Sequence, residues 1–300
     1  MDSGSVNVPK DPFITNCLGL ILVQNSGDSS QLKIGLLLYL YLKKLIMIEK
    51  TALLVISCDK YSDLWPIYFG SLFKFWPDCP LKIYLGSNYK IYDHKDVTMI
   101  NIGEDSDYSS NLAAMISEVE EEYVVTTVED IFISAPVDEE LIFSYFQEFF
   151  DNKAAYLKLL YTFPVGYDKN ASKRTASLPG DVRYRLGMGT SLWNKKILKK
   201  SLVPGMSAWV MEKEGEFGSD IPAGDVYTIN YHFSGGHPFQ YVHGVIKGAW
   251  IRGAVPWLER QGYGDKLQNR PIMSRSSTLY FWMFRILMAI FRKIDFKWKP

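Results

Sequence analysis

The sequence predicts an α/β protein organised around a mostly parallel sheet, and three observations predict it. Thr51-Ala-Leu-Leu-Val-Ile-Ser57 is an unbroken apolar run between polar residues, the pattern of a strand buried on both faces. The next segment changes period: Trp65, Phe69, Leu72, Phe73 and Trp76 recur along one helical face. A second β-branched run, Tyr123–Val128, follows a second helical pattern, so strands and helices alternate as a parallel sheet requires.

The elements follow in order. Ser62 or Asp63 is placed to cap the first helix, Pro66 occupies its first turn, where a missing N–H costs little, and Pro77 ends it. Leu81–Leu85 and Val97–Ile102 read as strands. Over Asn111–Glu122, Leu112, Ile116 and Val119 share one face with Tyr123, leaving Glu118, Glu120, Glu121 and Glu122 on a solvated face. Pro136-Val-Asp138 opens a helix capped by Asp138, with Leu141/Ile142, Tyr145/Phe146 and Phe149/Phe150 recurring every four residues. Beyond Asp151 the alternation loosens. Ala154–Tyr161 and Tyr184–Leu192 read as strands, and Lys195–Ser201 as a short helix. Glu212–Tyr241 has no strong period; loops of this length are functional or disordered, and its aromatics argue against disorder.

Lys plus Arg and Asp plus Glu both number 33, so zero net charge removes any global electrostatic case for nucleic-acid binding. Cys17, Cys58 and Cys79 form no ligand-spaced cluster and cannot all pair, which reads as free thiols in a reducing compartment. Ile34–Leu42 is apolar but only about half of the roughly 20 residues a membrane span needs. It also lies too far from Met1 for a signal peptide. Neither a dinucleotide-binding glycine motif nor a P-loop is present.

The chemistry concentrates where Tyr123–Val128 runs into Glu129-Asp130 and apolar sequence then resumes. Burying a charge without a partner is expensive, so a buried pair at a strand's carboxyl end calls for a cation, such as a divalent metal carrying phosphate. A β-turn with a capping Asp is the alternative. In the turn Ser57-Cys58-Asp59-Lys60-Tyr61, Asp59 suits a ribose hydroxyl or base edge, Tyr61 a base face and Ser57 a pyrimidine carbonyl; an ordinary Asx turn fits equally. His243, between Val242 and Gly244, is a candidate metal ligand or phosphate donor, whereas His232 reads as structural. Glu212, three residues after Trp209, is the candidate general base, with Asp220 next and Asp225 behind it. Arg183, with Arg185, Arg174 and Lys173, suits a diphosphate or a surface strand edge. Leu279–Phe291, apolar and flanked by Arg270, Arg275, Arg292, Lys293, Lys297 and Lys299, suits an interfacial helix on an anionic membrane or a final packed helix.

Ile56-Ser-Cys-Asp-Lys-Tyr-Ser-Asp-Leu-Trp65, Phe75-Trp-Pro-Asp-Cys-Pro80, Glu129-Asp130-Ile-Phe132 and Gly187-Met-Gly-Thr-Ser-Leu-Trp193 together resemble a group of bacterial glycosyltransferases associated with surface polysaccharide synthesis, over about residues 48–262. The resemblance implies a glycosyltransferase A-like fold, with a Rossmann-like mostly parallel sheet, helices on both faces and a less regular acceptor-side half. It implies nucleotide-diphosphosugar binding at Ser57, Cys58, Asp59 and Tyr61, and a Mn or Mg cation at Asp130 and Glu129. Val128 stands where an Asp-x-Asp motif would begin, and Asn111 where a basic residue is common. The expected organisation is a dispensable extension (1–47), a nucleotide-sugar-binding half (48–152), an acceptor and catalytic half (153–268) and a basic aromatic tail (269–300). The expected activity is sugar transfer to a glycan or lipid-linked acceptor in the cytoplasm, peripherally on the inner face of the plasma membrane. A catalytically inactive nucleotide- or sugar-binding module is the alternative, and nucleic acid is not an expected partner.

Overall fold

The computed structural model describes residues 29–160, 174–180, 185–213, 218–230, 238–280, 283 and 286–287. The chain divides into two units, Met1–Lys50 and Thr51–Pro300. In the first, helix α1 (Ser29–Glu49) exposes Leu36, Leu37, Leu38, Leu40, Tyr41 and Leu45. No described helix is long and apolar enough to cross a membrane.

The second unit is built on an eight-stranded sheet. Strands β1 (Thr51–Ile56), β2 (Lys82–Ser87), β3 (Val97–Asn101) and β4 (Tyr123–Val128) form its parallel half in the order β3-β2-β1-β4. The order continues through β8 (Ser191–Asn194), β6 (Tyr156–Lys158), β9 (Val226–Ile229) and β7 (Thr175–Ser177). Here β8 runs antiparallel to both neighbours, so β6 and β9 point the same way as β4. Four of the seven pairings are parallel, and the fold class is α/β with a mostly parallel sheet, as expected.

Alternation along β1 distributes the core to both faces. Ala52, Leu54 and Ile56 join Leu112, Met115 and Ile116 of helix α3 (Tyr108–Glu118). Leu53 meets Tyr68 and Leu72 of helix α2 (Trp65–Phe75) on the other face. Helix α4 (Glu139–Asp151) buries Leu141, Ile142, Tyr145, Phe146 and Phe149. Each such side chain contributes about 1.5–3 kcal/mol relative to exposure. The predicted Asp138 cap is present, its carboxylate accepting from Leu141 N at 2.9 Å. Gly86 in β2 lets α3 approach, because a Cβ there would stand 2.2 Å from Met115 Sδ.

Four local expectations are corrected. The helix expected from Asn111 starts at Tyr108, because Asp107 accepts from Ser110 N at 2.9 Å, and it ends before Val119, whose extended backbone carries its side chain into the core. Neither Ser62 nor Asp63 caps α2, because a 3-10 turn, Asp59–Leu64, runs straight into it. Of the expected strand Tyr184–Leu192, Tyr184 lies outside the described residues and among 185–192 only the end is extended, since Tyr156 Oη accepts from Gly187 N at 3.1 Å and fixes a turn ahead of β8. Within the stretch that lacked a period lies β9, and β5 (Ile131–Ile133), directly after the carboxylate pair, pairs with β10 (Tyr241–His243).

Candidate active site at the carboxyl end of the parallel strands

Register fixes the centre of the site. Ile56 of β1 pairs with Val128 of β4, so the residues that follow, Ser57 and Glu129, emerge side by side. Ser57 is buried; its Oγ accepts from Trp65 Nε1 at 2.8 Å, and its hydroxyl donates to the Glu129 carboxylate. That chain of bonds occupies the hydroxyl that sequence assigned to a pyrimidine carbonyl. Glu129 is 7% exposed. Burial, then the adjacent Asp130 charge, push its carboxyl up to about 8. Asp130 keeps partial solvent access, and burial pushes it up to about 6.

The cation facing this pair is one that sequence reasoning placed only in the basic tail. Arg270 lies within electrostatic reach of Glu129 and Asp130. Its Nε and Nη2 donate to Asp63 Oδ2 and Oδ1 at 2.8 and 2.6 Å, and Nη2 also donates to the Lys60 carbonyl at 3.0 Å. Its guanidinium lies 4.4 Å from the Tyr61 ring centroid. The backbone explains the placement. As the residue before Pro271, Arg270 is extended and ends the 3-10 turn Gly264–Asn269. The chain beyond is tied to Trp250 by Trp250 N to Pro271 O and Met273 N to Trp250 O. The Arg-Pro step was the one local signal for this residue.

Asp59 is the anchor of a neighbouring loop. Its Oδ1 accepts from Ser87 Oγ at 2.7 Å and from the amides of Asn88, Tyr89 and Lys90 at 3.2, 3.1 and 3.0 Å. Against a desolvation cost that raises it, these bonds hold its carboxyl below the usual range. The loop presents Tyr89 and Ile91 as exposed side chains beside the turn. Cys58 is half-buried, and burial raises its thiol, with Glu129 and Asp105 adding to the effect. Tyr61 offers its ring with one face given to Arg270.

His243 pairs in register with Ile131, and Gly244 N donates to the Asp130 carbonyl at 2.7 Å, so β10 closes over the strand that leaves the carboxylate pair. Among the described residues no group of three His, Cys, Asp or Glu side chains suits a metal, so His243 does not complete a trio with Glu129 and Asp130. Glu212 lies in the last turn of helix α5 (Ala208–Lys213). Asp220 is exposed and pairs with Lys200 at 3.0 Å on the surface. Arg183 lies outside the described residues. Arg185 donates to the carbonyls of Ile221 and Pro222 at 2.8 and 2.7 Å, which binds it to the protein's own loop. Asn111 donates to Asp105 at 2.7 Å and steadies the loop before α3.

No family model matches the chain, and no curated protein matches it. Among solved structures, S. aureus TarS (1–349) in complex with UDP-GlcNAc shares 12% identity over 63% of this chain and 60% of its own, with a TM-score of 0.42. The mannosyltransferase PcManGT from Pyrobaculum calidifontis, in complex with GDP-Man and Mn2+, shares 12% identity over 83% of this chain and 72% of its own, TM-score 0.43. The bifunctional IspDF from Campylobacter jejuni shares 14% identity over 65% and 52%, TM-score 0.36. The chain thus spans about half to six-tenths of the first structures it matches. At such identities and scores the likeness carries no activity across.

Proposed function

We propose that this chain is a glycosyltransferase that moves a sugar from a nucleotide-diphosphate donor to a glycan or lipid-linked acceptor in cell-surface polysaccharide synthesis. The observation that carries the reading is the adjacent carboxylate pair Glu129-Asp130 at the carboxyl end of β4, beside the β1 turn. In α/β sheets, ligands bind outside the carboxyl ends of the strands. In this reading the turn Cys58–Tyr61 and the loop held by Asp59 border the nucleoside, with exposed Tyr89 as an added aromatic face. Arg183 is retained as a contact to the diphosphate, and Glu212 as the base that takes the acceptor hydroxyl proton if the anomeric centre inverts, with Asp220 in reserve.

The donor set suits a Mg or Mn ion that keeps several waters and takes one or two carboxylates with substrate phosphate, in place of an all-protein cage. Asp130, the more accessible of the pair, would hold it, with Glu129 behind, and His243 stays outside the ligand set. Such an ion would offset charge on the departing diphosphate. The chain's own contribution is orientation: Ser57 and Trp65 fix Glu129, and β5–β10 pairing fixes the backbone on its far side.

Calorimetry with a panel of nucleotide sugars, with and without Mn2+, tests the donor. Donor hydrolysis or transfer that disappears in Asp130→Asn supports the enzyme; no binding of any donor sinks the reading. A catalytically silent binding module is favoured instead by Val128 at the missing carboxylate position, and predicts binding without turnover. We also propose peripheral attachment to the inner face of the plasma membrane. Leu279, Tyr280, Met283, Ile286 and Leu287 are exposed on the tail, with Arg275 before them and Arg285 among them in sequence. Because Arg270 belongs to the folded site, flotation with anionic vesicles is compared between the full chain and Leu279→Glu/Met283→Glu. Equal flotation of the two removes the attachment.

A further inference from the structure

We infer that Arg270 is the fixed anion-binding residue of this site, its Nη1 amino group donating to phosphate oxygens of the bound diphosphate. The inference rests on the donor reading given above. Three observations support it. The side chain is only 10% exposed, yet its hydrogen bonds all leave from Nε and Nη2, to Asp63 and the Lys60 carbonyl. Nη1 makes no hydrogen bond and is not among the fully enclosed, unpartnered atoms of the described residues, so it opens onto accessible space. The guanidinium is also prepaid in orientation: a bidentate carboxylate fixes its plane, the Tyr61 ring covers a face at 4.4 Å, and the extended pre-proline backbone fixes its stem. An arginine held this way loses little conformational freedom when it binds an anion.

Charge explains why such a residue is needed and why it does not act alone. Arg270 faces Asp63 directly and Glu129 and Asp130 nearby, so carboxylates outnumber it. A diphosphate entering beside these groups meets repulsion that one guanidinium offsets only in part, and a divalent ion on Asp130 would complete the balance. The two cations then have separate tasks. The ion would be exchangeable and held by the carboxylates, whereas Arg270 is permanent and sets where the phosphates lie.

The test measures affinity by calorimetry at saturating Mg2+ for uridine, guanosine, UDP, GDP and inorganic pyrophosphate, in the wild type, Arg270→Gln and Arg270→Lys. Arg270→Gln is expected to weaken pyrophosphate and the preferred nucleoside diphosphate about tenfold or more, the size of one charge-assisted contact, and to leave the nucleoside unchanged. Arg270→Lys keeps the charge without the fork and is expected to lose severalfold. If Arg270→Gln does not fold, the same comparison is read from Arg270→Lys. Equal losses for nucleoside and diphosphate, or no loss for the diphosphate, overturn the inference and leave Arg270 a structural partner of Asp63. Pyrophosphate binding that depends on Arg270, without any nucleotide binding, upholds the anion site and removes the donor reading. Nucleoside-diphosphate binding indifferent to both variants does the reverse, and a wild type that binds neither pyrophosphate nor diphosphate overturns both.

Discussion

Replacing Glu129 with Gln keeps the shape and the hydrogen bond to Ser57 while removing a carboxyl whose ionisation the folded chain resists. Burial and the Asp130 charge push that carboxyl from 4.5 up to about 8. In the unfolded chain it ionises near its ordinary value, so with rising pH the unfolded state loses its proton first. The stability held below pH 4.5 is therefore lost as pH climbs towards 8 and stays lost above it. At about 1.4 kcal/mol per pH unit, wild type should fall relative to Glu129→Gln by about 4 kcal/mol between pH 5 and pH 8.5. Asp130, pushed up to about 6, has the same sign over a lower window and is common to both proteins. Guanidinium chloride unfolding followed by tryptophan fluorescence at pH 5, 6.5 and 8.5, at constant ionic strength, gives the difference from midpoints and slopes. Parallel curves across that range would show that Glu129 is not a buried, proton-retaining carboxyl, and the argument from its burial would fall.

Other expectations concern the surrounding supports. Asp59→Ala should loosen the loop Ser87–Lys90, costing about 1–2 kcal/mol after allowance for its partial exposure, and should raise hydrogen exchange at the Asn88–Lys90 amides. Exchange unchanged there would mean that the loop holds without it. Gly244→Ala places a Cβ 2.3 Å from the Phe132 ring and should cost about 1–3 kcal/mol by overpacking, read as a lowered unfolding midpoint; a neutral effect would show β5 and β10 free to part. Asp63→Asn removes the bidentate carboxylate that fixes the plane of Arg270 and should weaken pyrophosphate binding severalfold, whereas tighter binding would mean that Asp63 chiefly competes for the guanidinium charge.

Much of the frame was legible because burial leaves a local period. Thr51–Ile56 and Tyr123–Val128 are buried on both faces and read as continuous apolar runs, and α2 and α4 show their core stripes at helical spacing. The irregular half was less legible. Strand β9 has only four residues, too few for alternation to stand out within a long polar stretch, and its pairing with β6 decides its conformation. The Ser62 or Asp63 cap failed for a related reason, since a cap is argued from neighbours a few residues away while Asp63 spends its carboxylate on a partner 207 positions along the chain.

The sequence by itself determined that two carboxylates, Glu129 and Asp130, end a buried strand and that something cationic must answer them. Local chemistry suffices for that, because the apolar runs on either side deny the pair a surface loop. Only the tertiary structure decided that Arg270 faces them, that Ser57 and Trp65 hold Glu129, and that Asp59 serves a loop. Partner choice for a charge depends on which distant segments the sheet order brings to one edge, and no local periodicity records that.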